Sequence, residues 1–167
     1  IIEAVGMVDA ANTSLGLAMC EDLPAPLGER LRACQNDLFD CGADLVTPPG
    51  GPHEAHIARV DASYIERLDA WCAEAQDGLA PLTSFILPGG SRAAAALHHC
   101  RVTVRAAERA VWRARPEMGD RAEGPLPLAV YLNRLGDLCF QYARHCNQRG
   151  ASDVLWQPGQ GRGSGSD

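Results

Sequence analysis

The sequence predicts an all-α fold, an antiparallel five-helix bundle, on three observations. Alanine, leucine and arginine dominate the 167 residues while aromatic residues make up only 5%, a composition that favours helix over strand. Apolar residues recur at the three- and four-residue spacing of a helix face in five stretches. Segments rich in proline and glycine separate those stretches. A chain of this length suffices for one domain, which buries roughly 70% of the surface its unfolded form exposes.

The first helix is expected over about Ile2 to Cys20, ending before the LPAPLG break. The second runs from about Pro26 to Leu45 and stops at TPPGGP, where prolines and glycines cannot continue it. The third covers about Ala58 to Gln76, with Ile65, Leu68 and Trp71 at core spacing. The connection LAPLTSFILPGGS is apolar but broken by Pro and Gly, and it leads to a fourth helix from about Arg92 to Arg115. The fifth extends from about Leu126 to Gln148. The connections read as short, so successive helices should pack mostly antiparallel as neighbours. Residues 1–150 form the helical-bundle domain in this reading. Residues 151–167 form a flexible C-terminal tail, since QPGQGRGSGSD has nothing to bury.

A net charge of −6 arises from 21 acids against 15 bases, every one of the latter arginine. Nucleic-acid binding would demand a broad basic face, which this balance does not supply. Without lysine, Schiff-base and P-loop chemistry are excluded within these residues. The seven cysteines are Cys20, Cys34, Cys41, Cys72, Cys100, Cys139 and Cys146. They form no CxxC pair and fall mostly on apolar helical positions, which reads as reduced core residues in a cytoplasmic protein. Their spacing from His98 and His99 argues against zinc. No apolar run approaches the ~20 residues needed to span a bilayer, and no signal peptide opens the chain.

The most distinctive feature is the row Arg101, Arg105, Arg109 in LHHCRVTVRAAER, with Glu108 beside it. Residues four apart approach within about 5–6 Å at Cβ, so like charges repel there unless an anion lies between them. Guanidinium groups grip carboxylate or phosphate oxygens two at a time, so neighbouring acids or a polyphosphate both fit. On the fifth helix Asn133, Asp137, Phe140 and Arg144 share a face by spacing, suited to the wall of a polar pocket or to ordinary interhelical pairing. Asp9, Asn12 and Gly16 form a polar face of the first helix, and Asp9 is a natural partner for an arginine of the fourth. The SFILPGG loop carrying Phe85 is too apolar to lie free, so it either packs over the bundle end or lines an apolar cavity. His98 and His99 occupy adjacent helix faces, so at most one is expected to point into a site, and burial is the default reading for both.

The segments GMVDAANTSLGLA, LFDCGADLVTP, LTSFILPGG, LHHCRVTVRAAER and YLNRLGDLCFQYAR, in this order, resemble the PduO-type ATP:cob(I)alamin (corrinoid) adenosyltransferases from about Glu3 to Asn147. The resemblance implies a homotrimer with active sites between subunits. It also implies transfer of the 5′-deoxyadenosyl group of ATP to cob(I)alamin, releasing triphosphate and using Mg²⁺. Carried over to this chain, Arg101 and Arg105 contact the ATP phosphates and Glu108 lies near nucleotide and Mg²⁺. Asp9 pairs with Arg101 across the interface and borders the corrinoid. Asn133 and Asp137 lie beside the nucleotide, and Phe85 and Phe140 shape the corrinoid pocket; Arg101, Asp9 and Asn133 form the catalytic set.

The family usually has a second arginine directly after the one matching Arg105, where this chain has Ala106. Its members also carry a Gly- and Thr-rich ATP-binding segment with a lysine or arginine upstream of the first helix; the favoured expectation is that it precedes Ile1, the alternative being a truncated or altered homologue with impaired ATP binding. Expected partners are a cobalamin reductase and an adenosylcobalamin-dependent mutase or dehydratase. The alternatives weighed are a corrinoid carrier without turnover and a helical oligomerisation module whose arginines only make interface ion pairs.

Overall fold

The computed structural model describes residues 1–123 and 125–160; the last part of the expected tail, 161–167, lies outside the described residues. Five α-helices make up the body: α1 (Ile2–Ala18), α2 (Leu27–Val46), α3 (Ala62–Gln76), α4 (Arg92–Ala114) and α5 (Pro127–Cys146). Their order around the bundle is α2, α1, α4, α5, α3. Cross-helix contacts fix the directions. Ser14 meets Thr103 and Glu3 meets Arg113, so α1 and α4 are antiparallel. Glu108 meets Asn133 while His98 meets Phe140, so α4 and α5 are antiparallel too. Asp69 meets Arg134 and Gln76 meets Gln141, which makes α3 and α5 parallel.

The expectation that successive helices are neighbours holds for α1–α2 and α4–α5 but not for α3 and α4, which both pack on α5, and the expected short connections are instead the longer segments 47–61, 77–91 and 115–126. α2 and α3 meet mainly through long polar side chains: Arg30 with Glu74 at 2.6 Å, Tyr64 with Asp40 at 3.0 Å, and Arg67 with Asp37. The buried Asp37 also accepts the Tyr131 hydroxyl of α5 at 2.9 Å, satisfying a carboxylate that would otherwise be costly to enclose.

Helix ends follow the chain's capping chemistry. α3 starts at Ala62 instead of about Ala58 because Asp61 caps it, its carboxylate accepting the Ser63 N–H at 2.9 Å. Residues ahead of it are held extended by Arg59, which with Arg121 encloses the buried Asp44 at 2.6 and 2.9 Å. Ser91 caps α4 through the Ala94 N–H at 3.1 Å. α5 ends at Cys146, because Asn147 leaves the helix to bind Ser91 N–H, the Gly89 carbonyl and Asp153.

The core is a single cluster of Leu, Ala, Val and Cys from all five helices, sealed by Tyr131 and Tyr142. Cys34, Cys41, Cys100 and Cys139 are buried and Cys20 is exposed, all of them free thiols. No helix among the described residues is long and apolar enough to cross a membrane.

The tail boundary at residue 150 requires correction. Asp153 is buried against Arg144, its carboxylate 2.8 Å from Nε. Beyond it Leu155 pairs in antiparallel fashion with Ile86: the Trp156 N–H donates to the Phe85 carbonyl and the Leu87 N–H to the Val154 carbonyl, both at 2.8 Å. The ordered chain therefore reaches at least Trp156, because a buried ion pair and an edge of backbone hydrogen bonds hold it.

Candidate active site

Along α4 the arginine row turns gradually away from the core. Each four-residue step advances roughly 40° around a helix of 3.6 residues per turn. Arg101 is half-buried, while Arg105 and Arg109 are exposed. The stem of Arg105 runs over Gly136 of α5. Its Nη1 lies 3.9 Å from Glu108 Oε2, while Glu108 Oε1 accepts Asn133 Nδ2 at 3.1 Å. Arg105, Glu108 and Asn133 thus meet across the α4–α5 seam, one turn along α4 from Arg101. Arg101 Nε is buried with no hydrogen-bond partner.

Asp137, one turn beyond Asn133, faces the α3 side instead. It pairs with Arg134 Nη1 at 3.3 Å, and Arg134 Nε reaches Asp69 at 2.8 Å. With Phe140, Leu82, Cys72 and Gln76, it lines a polar groove of about 380 Å³ between α3 and α5. Of the face expected to carry Asn133, Asp137, Phe140 and Arg144, only Asn133 departs, turning to Glu108; Asp137, Phe140 and Arg144 border this same groove, with Arg144 also bonded to Asp153 and the Ala80 carbonyl. A helix surrounded on three sides distributes such a face over several neighbours.

Phe85 is 78% exposed, so the loop neither joins the core nor closes a cavity within one chain. Its ring stands edge-on to Trp156 at a centroid distance of 6.0 Å. Leu82, Leu87, Val154 and Leu155 extend this into an exposed apolar rim at the end of the bundle. Trp156 and Asp153 are the residues that sequence reasoning missed. The signal for Trp156 was the apolar triplet VLW, residues 154–156, which Asp153 directly precedes in a stretch otherwise read as tail.

Asp9 lies on the opposite flank of the molecule. Among the described residues no ion pair joins it to Arg101. The face holding Asp9, Asn12 and Gly16 looks onto α2, not α4. Asn12 and Gln35 exchange amide-to-backbone bonds at 3.0 and 3.2 Å, and Gly16 makes room for the Gln35 amide. Asp9 borders an apolar groove of about 490 Å³ between α1 and α2, with Phe39 beside it 72% exposed.

Burial raises the thiol of Cys34 to about 12 and that of Cys72 to about 11, so neither is ionised at neutral pH. Among the described residues no cluster of three His, Cys, Asp or Glu side chains is arranged to hold a metal.

Comparison with known proteins bears on this arrangement. A family model described as cobalamin adenosyltransferase matches residues 1–146. A corrinoid adenosyltransferase of Mycobacterium tuberculosis is 46% identical over 156 residues, covering 92% of this chain and 78% of that protein. A cobalamin adenosyltransferase of Cupriavidus metallidurans is 42% identical over 158 residues, covering 93% and 80%. A solved structure of a variant PduO-type ATP:corrinoid adenosyltransferase from Lactobacillus reuteri, complexed with cobalamin and ATP, superposes with a TM-score of 0.79 at 28% identity over 92% of this chain and 84% of that one.

Proposed function

Because the chain belongs to the cobalamin adenosyltransferase family, we infer how its own residues perform that family's reaction. The protein transfers the 5′-deoxyadenosyl group of ATP to cob(I)alamin, giving adenosylcobalamin and triphosphate. A cobalt–carbon bond forms to C5′ while the C5′–O bond breaks, its electron pair leaving on the triphosphate. The nucleophile is the substrate itself, so the protein needs no activated serine or thiolate. The protonated core cysteines fit that requirement. What the protein must do is align the two substrates and stabilise charge gathering on the leaving group.

The observation that carries the assignment of roles is the α4–α5 seam, where Arg105, Glu108 and Asn133 meet and Arg101 lies one turn along α4 with a buried, unpartnered Nε. We assign Arg101 and Arg105 to the triphosphate, where planar donors neutralise the departing charge. Asn133 orients Glu108 and faces the nucleotide; Asp137 borders the same region from the α3 side. Phe85 and Phe140 contact the corrinoid, with Trp156 extending the wall. An apolar wall against the lower face of the corrin excludes an axial ligand and water, which eases reduction of cob(II) to cob(I).

Mg²⁺ fits as an ion carried in with ATP. It is commonly bound through one or two carboxylates together with phosphate oxygens and water, and Glu108 offers one carboxylate without a second acid to complete a resident site. Its contribution when bound is neutralisation of phosphate charge. Glu108, positioned by Asn133, is the group that would hold it.

We propose a homotrimer with active sites between neighbouring subunits. Asp9 and Arg101 lie on different flanks of one protomer, and the apolar groove beside Asp9 is open with Phe39 exposed over it. A second copy seated there would cover Phe39 and deliver Asp9 to Arg101, and would make Asp9 a neighbour of the corrinoid. The protein is placed in the cytoplasm, where a reductase supplies cob(I)alamin and a dependent mutase or dehydratase receives the product.

The test combines the protein with ATP, Mg²⁺ and chemically reduced cobalamin. Appearance of the adenosylcobalamin spectrum, lost in Arg101→Ala with folding retained, is the expected result. Full turnover by the variant would overturn the role given to Arg101.

A further inference from the structure

His98 is 2% exposed, and neither of its ring nitrogens has a hydrogen-bond partner. One turn away on the same face of α4, Arg101 Nε is likewise buried and unpartnered. Two orphaned polar groups three residues apart on a helix lie within reach of each other, and their chemistry is complementary. Arginine Nε–H can only donate, while an uncharged imidazole always keeps one nitrogen free to accept. Phe140 closes the other side of the imidazole, its ring centroid 6.1 Å away. Thus His98 stands where the arginine assigned to the triphosphate meets an aromatic of the corrinoid wall.

We propose that His98 is a positioning residue for the transfer reaction: its uncharged imidazole accepts the Arg101 Nε–H and fixes the guanidinium plane, leaving the outer nitrogens to the triphosphate and to Asp9 of a neighbouring subunit. The proposal rests on the reading of Arg101 as the triphosphate arginine. The i, i+3 relation lets a small rotation of the imidazole, made as substrates bind, bring acceptor to donor. Without that acceptor the guanidinium swivels about its last torsions, and its bonds to the leaving group form out of line.

The surroundings keep the imidazole in the required state. Burial first, and then the charge of Arg101, push its pKa below the ordinary 6.5, against an opposing pull from Asp153. Asp153 is itself engaged by Arg144 of α5. On α1, the other helix packed against α4, no ionised side chain occurs between Asp9 and Glu21. Protonation would convert the acceptor into a second cation facing Arg101, and so reverse its function.

The experiment compares wild type, His98→Gln and His98→Phe with ATP, Mg²⁺ and chemically reduced cobalamin, alongside ¹⁵N NMR of the arginine Nε–H groups. Wild-type formation of adenosylcobalamin verifies the underlying reading independently of His98. Loss of about 10- to 100-fold in kcat is expected for His98→Phe, the size of effect that misplacing a catalytic group produces. His98→Gln, which keeps an acceptor, should restore most of that rate, and the acid limb of wild-type kcat below pH 6.5 should vanish in it. In wild type, the Arg101 Nε–H resonance of the ATP complex should titrate with His98. Wild-type kcat in His98→Phe, an acid limb that persists in His98→Gln, or an Arg101 resonance indifferent to His98 titration would each overturn the proposal. The resonance needs no substitution, so the question is decided even if His98→Phe fails to fold.

Discussion

Replacing Asp153 with alanine should destabilise the protein far more than its place near the chain's end suggests. Both members of the Arg144–Asp153 pair are almost fully enclosed, at 3% and 2% side-chain exposure. Arg144 Nε gives its hydrogen to Asp153 at 2.8 Å and Nη2 binds the Ala80 carbonyl at 2.6 Å, while Asn147 reaches the other carboxylate oxygen at 3.2 Å. Removing the carboxylate strands a buried guanidinium, at a cost of about 3–5 kcal/mol. For a chain of this size each kcal/mol shifts Tm by about 2–4 °C, so a drop of about 6–20 °C is expected.

The loss is capped where residues 151–156 peel away and let water reach Arg144, since local opening then replaces global unfolding. Amide exchange at Leu87 and Trp156 distinguishes the two, because those N–H groups bond across the 84–87 and 154–156 segments. Thermal and urea denaturation at fixed protomer concentration, with exchange at those amides, is the assay. The double variant Arg144→Met, Asp153→Ala should recover much of the loss, since an apolar replacement leaves no charge unpaired. A single variant within about 1 kcal/mol of wild type, with both amides still protected, would refute the reasoning, because the cost of an unpaired buried charge would then be absent.

Phe85→Ala, at a side chain 78% exposed, should alter stability by no more than about 0.5 kcal/mol. It should impair adenosylation starting from cob(II)alamin and reductant much more than from preformed cob(I)alamin; equal losses in the two assays would contradict the exclusion of a lower ligand. Phe39→Asp, also at an exposed position, should leave the monomer fold intact and shift the mass measured by light scattering from trimer to monomer. An unchanged mass would remove the α1–α2 groove from the interface. The pH dependence of folding has a defined sign at His98: its folded pKa is below the unfolded 6.5, so the unfolded chain takes the proton first. Stability is complete above about pH 6.5 and falls as pH drops from there toward the lowered value; denaturation midpoints in His98→Gln should lack this component.

The helices were legible because their apolar period is regular and prolines and glycines interrupt it between elements. Boundaries moved where a side chain imposed a different end: Asp61 delays α3, and Asn147 stops α5 to bridge Gly89, Ser91 and Asp153. In the site, the four-residue repeat exposed Arg101 and Arg105 before any contact was known. The repeat did not show that Asn133 turns to Glu108 while Asp137 turns to Arg134, because spacing places residues on a face but does not choose between two flanking helices. Asp153 and Trp156 escaped for a related reason: a short apolar triplet has no period, and only the edge of the 84–87 segment makes it structural.

Because five alternating helices give an odd number of passes, Ile1 and Trp156 emerge at opposite poles of the molecule. A helix of 20 residues spans about 30 Å, so dyes attached at the two poles would act as a ruler for compaction during folding.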